Sequence, residues 1–164
     1  MKKLIVIYYH DIVNVGEGFS YQRVEKENFE QQMCYLRDYG YQSIFFEDME
    51  KELPNKAILI TFDDGFETVY KNAVPIMKKY GMKGNIYLPT KYVEENTEHF
   101  MSWQMLKELH DTNQCSVAAH THSHVDIRTL DEENMKKEIE VSNQLLQERL
   151  GINTNAFCMP YGKY

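Results

Sequence analysis

The sequence has few cysteines and no long apolar run, and these two shortages exclude several classes of protein. Its three cysteines, Cys34, Cys115 and Cys158, are odd in number and form no C-x-x-C pair. This argues against a disulfide framework and against a cysteine zinc site, so we expect reduced cysteines in the core. No segment approaches the roughly 20 consecutive apolar residues of a membrane-spanning helix, so no transmembrane segment is predicted.

Basic residues are also scarce. The chain has 18 Lys and Arg against 25 Asp and Glu, which gives a formal net charge of -7. A protein that binds nucleic acid through its phosphates needs a basic face, so this balance argues against a nucleic-acid partner. The length of 164 residues and the 43% hydrophobic fraction predict a single globular domain over 1–164.

The first residues, MKKLIVI at 1–7, look like the start of a signal peptide. The polar segment at 8–11 ends the apolar run short of the roughly 7 to 15 residues of a signal-peptide core, and no small-residue cleavage site follows. We therefore interpret 4–9 as a first strand. Without an export signal, the sequence alone favours the cytoplasm.

Strand and helix patterns alternate along the rest of the chain. Strands are predicted over 42–46, 57–62, 84–88, 115–119 and 156–159. Helices are predicted around 29–36 up to Gly40, over 74–80 up to Gly81, over 102–110 with Ser102 as its cap, and from a capping box at 129–132 to 150. This alternation implies an α/β fold with a parallel sheet, either open or curled into a barrel. A closed barrel uses eight strands, and about six are found, so we expect an incomplete barrel or a chain that stops early.

Two polar segments follow predicted strands: TFDDG at 61–65 and HTHSH at 120–124. Alone, an Asp-Asp-Gly is more often a turn, and a spaced histidine pair is more often a coincidence. Because the carboxyl ends of parallel strands share one edge, the two segments can converge there. One Asp with His120 and His124 would suit zinc or another divalent transition metal and leave a position for water. The second Asp would then act as a general base, and His122 is expected to point elsewhere.

Three segments in order, TFDDG, HTHSH and FCMPYG at 157–162, resemble the first three motifs of the polysaccharide deacetylases. This is the NodB-homology domain of carbohydrate esterase family 4, and the resemblance covers essentially the whole chain. It implies a distorted (β/α) barrel of the NodB type in one domain over 1–164. The family's fourth and fifth motifs have no counterpart, so the barrel is expected to be incomplete at its C-terminus.

The resemblance also implies a role for each matching residue. Asp63 would be the general base, and Asp64, His120 and His124 would bind a divalent metal. Zinc is the first expectation, with cobalt, nickel or iron as alternatives. The backbone N–H of Tyr161 would stabilise the oxyanion.

The substrate pocket is expected to include Pro160, Tyr161 and His10, which follows the first strand. Cys158 occupies the position where the family usually carries an Arg that orients the base aspartate. The last motif of the family supplies a general acid, so this chain is expected to be impaired. We expect His10 to line the pocket rather than to replace that acid.

The implied activity is removal of N-acetyl groups from a glycan that contains N-acetylhexosamine, in most of the family on envelope polymers outside the cytoplasm. Two alternatives stay open. The chain could be a catalytically inactive relative that binds metal and carbohydrate. In the second alternative, the edges of an incomplete sheet pair with a second copy of the chain, because unpaired strand edges invite association.

Overall fold

The computed structural model describes residues 4–17 and 20–163, which form a parallel sheet surrounded by helices. The strands are β1 (Ile5–Tyr9), β2 (Asp11–Val13), β3 (Arg23–Glu25), β4 (Gln42–Ser43), β5 (Ala57–Phe62), β6 (Gly84–Leu88) and β7 (Cys115–Ala119). The helices are α1 (Lys26–Asp38), α2 (Val74–Tyr80), α3 (Thr90–Glu94), α4 (Trp103–Asp111) and α5 (Glu132–Leu150). A π-helical turn (Val69–Ala73) precedes α2, and 3₁₀ turns cover Phe46–Glu50, Ile127–Thr129 and Pro160–Gly162.

The main sheet has the order β1-β5-β6-β7, and all its neighbouring strands are parallel. Strand β4 also pairs with β5, while β2 and β3 form a separate parallel pair. Within the described residues the sheet stays open and does not close into a barrel. The carboxyl ends of β5 and β7 therefore lie at the same edge, as the alternating pattern predicts.

The core lies on both faces of this sheet. All residues of β5 and β6 are buried, and successive side chains of a strand point to opposite faces. Both faces must therefore be covered, which explains why these strands read as continuous apolar runs rather than as alternating ones. Cys115 is buried in this core, whereas Cys34 and Cys158 are only half-buried; all three are free thiols.

Several helix ends follow the predicted local chemistry. The Ser102 side chain accepts a hydrogen bond from the backbone N–H of Met105 at 3.3 Å and caps α4. Gly81 and Gly151 end α2 and α5 in the left-handed conformation that glycine adopts without strain. The predicted cap of α5 was wrong: Asp131 caps it, because the Thr129 hydroxyl is already bonded to the carbonyl of Asp126 at 2.7 Å.

Two predicted strands were also wrong in extent. The segment 42–46 pairs only at Gln42–Ser43, because the chain then turns into a 3₁₀ helix. The segment 156–159 makes a single bridge between Phe157 and Ala119, since the 3₁₀ turn at Pro160–Gly162 ends the extended stretch. The pattern missed β2, β3 and α3, and the first three residues of the chain lie outside the described ranges.

Strand β1 forms one edge of the described sheet. The side chains of Val6 and Tyr8 on it are 55% and 70% exposed. A groove of about 1160 Å³ beside it is lined partly by Ile7, Val24 and Leu36, and none of the predicted site residues lines it. Pairing of this edge with a second copy stays a prediction. Over 4–17 and 20–163, no helix has both the length and the apolarity that crossing a membrane requires.

The buried side chain of Asn85 fills the gap where β4 ends and β6 begins on the same side of β5. Its Nδ2 donates to the carbonyls of Ile44 and Ile60 at 3.1 and 3.2 Å. Its Oδ1 accepts from the backbone N–H of Phe46 at 2.9 Å. One amide thus satisfies three backbone groups that the break in strand pairing would otherwise leave without partners.

Replacing Asn85 with Leu should therefore destabilise the fold strongly. Each buried polar group left without a partner costs about 1–3 kcal/mol, so we expect a loss of ~3 kcal/mol or more in the free energy of unfolding. Chemical denaturation measures it. The same change at exposed Asn143 on α5 is the control and should have little effect; equal losses in the two variants would contradict the role of Asn85.

Candidate metal centre

The two predicted polar segments meet at the carboxyl edge of the sheet. Asp64 follows β5, and His120 follows β7, where its backbone N–H donates to the carbonyl of Leu88 at 3.0 Å. The Oδ1 atom of Asp64 lies 3.0 Å from Nε2 of His124 and 3.7 Å from Nε2 of His120. The structure thus brings together the three residues predicted as ligands.

The geometry of this cluster fits a divalent transition metal. The potential ligand atoms of Asp64, His120 and His124 all lie within 4.8 Å of one another. The buried Oδ1 of Asp64 has no hydrogen-bond partner, so the short distance to His124 lacks the alignment of a hydrogen bond. One carboxylate oxygen and two imidazole nitrogens form a donor set that suits zinc and its neighbours.

A hydrogen bond from Nδ1 fixes the orientation of the His120 ring. Its Nδ1 lies 2.8 Å from the carbonyl oxygen of Cys158, which can only accept, so Nδ1 carries the hydrogen. Nε2 then keeps its lone pair toward Asp64, the arrangement found in metal-binding histidines. Burial lowers the pKa of His120 to about 4, which keeps the ring in the neutral form that binds metals.

Asp64 stays ionised in these surroundings. Burial alone would raise the pKa of its carboxyl group, but the close approach of His124, followed by the charges of His124, His10 and His120, outweighs that effect and lowers it. An anionic carboxylate at this position is the protonation state that a cation would require.

Asp63 has a different environment from its neighbour. Its Oδ1 atom is buried and has no hydrogen-bond partner. Burial, and then the charge of Asp64, raise the pKa of its carboxyl group to about 7. A carboxyl group with a pKa near neutrality can both accept and release a proton, which suits a general base.

Cys158 lies beside Asp63, where the resemblance leads one to expect an Arg. The potential ligand atoms of Cys158, Asp63 and His120 lie within 4.8 Å of one another. Burial, followed by the two aspartate charges, raises the pKa of the thiol to about 12, so the neighbour of Asp63 is neutral. Cys158 therefore offers Asp63 no positive charge at the position where the family usually has one.

Two further histidines flank the cluster in different ways. His10 follows β1. Its pKa is lowered mainly by burial; the charge of Asp64 raises it and the charge of His124 lowers it. It is therefore close enough to interact electrostatically with the cluster; its contact with a substrate stays a prediction. His122 points away, as expected: its Nδ1 lies 3.0 Å from the hydroxyl of Thr90.

The third segment reaches the site through Tyr161. The ring centroid of Tyr161 lies 4.9 Å from that of His124, and its hydroxyl donates to the backbone carbonyl of His124 at 3.3 Å. Pro160 is buried at the start of the same turn. Of the two predicted pocket residues in this turn, Tyr161 is thus placed against a metal-ligand candidate, and Pro160 precedes it.

Backbone strain concentrates at this site. Seven described non-glycine residues have a positive φ, and four of them lie here: Asp64, Thr121, His124 and Tyr161, with φ of 70°, 62°, 59° and 61°. Such conformations cost of the order of 1–3 kcal/mol each and persist only where surrounding contacts impose them. The loop that carries the two histidines therefore needs an external constraint.

Glu138 of α5 supplies that constraint. One carboxylate oxygen accepts from the backbone N–H groups of His122 and Ser123 at 2.9 and 2.8 Å. The other accepts from the Ser123 hydroxyl at 2.8 Å. Sequence reasoning missed Glu138, because it lies on helix α5, 15 residues past Ser123, and belongs to none of the three motifs.

Comparison with known sequences identifies related proteins. The family model described as polysaccharide deacetylase matches residues 50–164. YxkH of Bacillus subtilis, whose name marks it as a candidate polysaccharide deacetylase, is 32% identical over 168 residues, covering 99% of this chain and 58% of its own. A poly-beta-1,6-N-acetyl-D-glucosamine N-deacetylase of Staphylococcus aureus is 29% identical over 127 residues, covering 73% of this chain and 43% of its own.

Comparison with solved structures supports the fold. A polysaccharide deacetylase from Bacillus cereus superposes with a TM-score of 0.86 at 29% identity, over 98% of this chain and 52% of that one. The predicted distorted (β/α) fold of the NodB type is thereby confirmed, as is its incomplete state over the described residues. The chain spans about half the length of the curated relatives that it matches.

The role of Glu138 leads to a prediction about metal affinity. Glu138→Ala should weaken the binding of Co²⁺ about 10- to 100-fold, the usual effect of losing a group that orients metal ligands. The change in the cobalt absorption spectrum on titration measures it. Glu138→Gln should largely restore affinity, because an amide oxygen can still accept from both N–H groups.

Glu140→Ala on the same helix is the matched control. Glu140 is exposed, and among the described ion pairs its only partner is Lys136, 3.6 Å away. The loss of its carboxylate should therefore leave cobalt affinity unchanged. If Glu138→Ala bound Co²⁺ as tightly as the unmodified chain, with the same spectrum, Glu138 would have no role in holding the loop.

Proposed function

Because this chain belongs to the polysaccharide deacetylase family, we propose that it is a metal-dependent hydrolase that removes N-acetyl groups from a glycan containing N-acetylhexosamine. The observation that carries the proposal is the cluster of Asp64, His120 and His124 beside a second carboxyl group that can hold a proton. The name of the Staphylococcus aureus relative makes poly-β-1,6-N-acetylglucosamine the first substrate to test.

Asp64, His120 and His124 would hold the divalent metal, with zinc as the first candidate and cobalt, nickel or iron as alternatives. When bound, such a metal lowers the pKa of water toward neutrality and polarises a carbonyl oxygen. Asp63 would take the proton from the attacking water. Its unpartnered Oδ1 atom is free to accept that proton, and its raised pKa allows the carboxyl group to keep it.

Tyr161 and Pro160 would complete the pocket. We assign the backbone N–H of Tyr161 to the oxyanion, since the residue has a left-handed conformation and its ring lies beside that of His124. One such donor is typically worth about 10² to 10³ in rate. Pro160 fixes the turn that presents this group, and His10 would contact the substrate from the end of β1.

The second candidate is an inactive relative that binds metal and carbohydrate without turnover. The observation that favours it is the neutral thiol of Cys158 beside Asp63, which leaves Oδ1 of the base without an orienting partner. An aspartate held only by burial and by Coulomb forces would be less well aligned for proton transfer.

Acetate release distinguishes the two candidates. With Zn²⁺ or Co²⁺ and short oligomers of β-1,6-linked N-acetylglucosamine, we expect the chain to release acetate. Asp63→Asn should reduce the rate about 10² to 10⁴-fold, the usual contribution of a general base, while cobalt binding persists. Cobalt binding by the unmodified chain without any release of acetate would favour the inactive relative.

The role of His10 can be tested in the same assay. His10→Ala should reduce kcat/KM about fivefold, since one lost contact to the substrate is worth ~1 kcal/mol. His110→Ala is the matched control, because His110 is exposed in the last turn of α4. Unchanged kinetics in His10→Ala would remove His10 from the site.

A further inference from the structure

Three half-buried aromatic rings, Phe66, Tyr92 and Phe100, form a cluster that we call the aromatic rim. The rings of Phe66 and Phe100 stack with centroids 5.1 Å apart and planes inclined by 21°. The ring of Tyr92 lies 4.7 Å from that of Phe100, tilted by 43°. Partly exposed aromatic surface of this kind has no role in the chemistry described above.

The aromatic rim is attached directly to the loop that carries the two aspartates. Phe66 and Phe100 form an antiparallel bridge, and the backbone N–H of Met101 donates to the carbonyl of Gly65 at 2.9 Å. A further bond runs from the N–H of Glu67 to the carbonyl of His99 at 2.8 Å. Because Gly65 follows Asp64 in the chain, these bonds hold the rim beside the metal centre.

The rim is also tied to the histidine loop. Helix α3, which carries Tyr92, begins where the N–H of Lys91 donates to the carbonyl of His122 at 2.9 Å. Burial raises the pKa of Tyr92, and the charges of Tyr161 and Asp64 raise it further, so its hydroxyl lies within electrostatic reach of both. The rim therefore borders the centre from the side of Tyr161.

We propose that the aromatic rim binds a second N-acetylhexosamine unit, adjacent to the unit whose acetyl group is removed. The faces of a β-linked pyranose carry C–H groups, while its hydroxyls project from the ring edge. Aromatic faces are electronegative and attract such C–H groups, and mostly apolar walls with a few polar groups are typical of ligand sites. The Tyr92 hydroxyl supplies a polar group at the boundary between the two units.

This inference deepens the proposed function and rests on it for the class of substrate. It assigns the chain a preference for oligomers over the single sugar. The contrasting role for the three rings is packing alone, in which they would hold the 97–101 segment and contribute nothing to affinity.

Sugar binding without turnover separates these roles. The affinities of the metal-free chain for N-acetylglucosamine and for its β-1,6-linked tetramer are measured by NMR titration. We expect tighter binding of the tetramer, and a loss of about tenfold in tetramer affinity in Tyr92→Leu with monomer affinity unchanged. Tyr92→Phe keeps the aromatic face and should keep the preference for the tetramer.

Tyr35→Leu provides the matched control, because Tyr35 is an exposed tyrosine on α1 that stacks on Tyr39. It should bind both sugars as the unmodified chain does. If Tyr92→Leu does not fold, Phe66→Leu removes another face of the rim and should give the same selective loss. Equal affinity of the unmodified chain for tetramer and monomer would overturn the proposal, as would a folded Tyr92→Leu that keeps the preference.

The result is independent of the catalytic test. Selective loss of tetramer binding in Tyr92→Leu, combined with no acetate release from the unmodified chain, would support the rim and reject the deacetylase. Acetate release without any preference for the tetramer would reject the rim alone.

Discussion

The parallel register of β5, β6 and β7 is the constraint on which the candidate centre depends. Paired residues advance together toward one edge, so Asp64 and His120 leave the same edge of the sheet with only β6 between their strands, although many residues separate them in the chain. The pairing continues past β7, since the N–H of His120 still bonds the carbonyl of Leu88. A shift in this register would separate the two ligand candidates, whatever the chemistry of their side chains.

That convergence is unfavourable by itself, and the surrounding contacts offset it. Three groups with lone pairs are pressed together without hydrogen bonds between them, on a backbone that takes left-handed conformations at non-glycine residues. The Cys158 carbonyl holds His120, and the Glu138 carboxylate holds the loop between the two histidines. Strain with such compensation is typical of sites whose geometry serves a ligand rather than the stability of the fold.

The sequence predicted what local patterns determine. Strands at 57–62 and 84–88 and the cap at Ser102 were confirmed, because apolar runs and capping chemistry act over a few residues. Family membership was also predictable from three ordered motifs. The roles of Asn85 and Glu138 were not predictable, since their partners lie outside the local pattern, 15 to 41 residues away. Nothing in the neighbouring residues shows which backbone groups will need an acceptor or a donor. For the same reason the residues at 156–159 were assigned to a strand, although only Phe157 is paired.

The environment of Asp63 shows how far the family pattern determines the chemistry. A cationic neighbour would hold an aspartate in one rotamer and keep its pKa low. Here the neighbour is a neutral thiol, and burial is the main cause of a pKa of about 7. Desolvation acts on the carboxyl group from all sides. It can therefore raise the pKa of Asp63 without orienting the carboxylate oxygens. The capacity of Asp63 to accept a proton therefore follows from its burial, whereas its alignment depends on the rigidity of the loop between Asp64 and the aromatic rim.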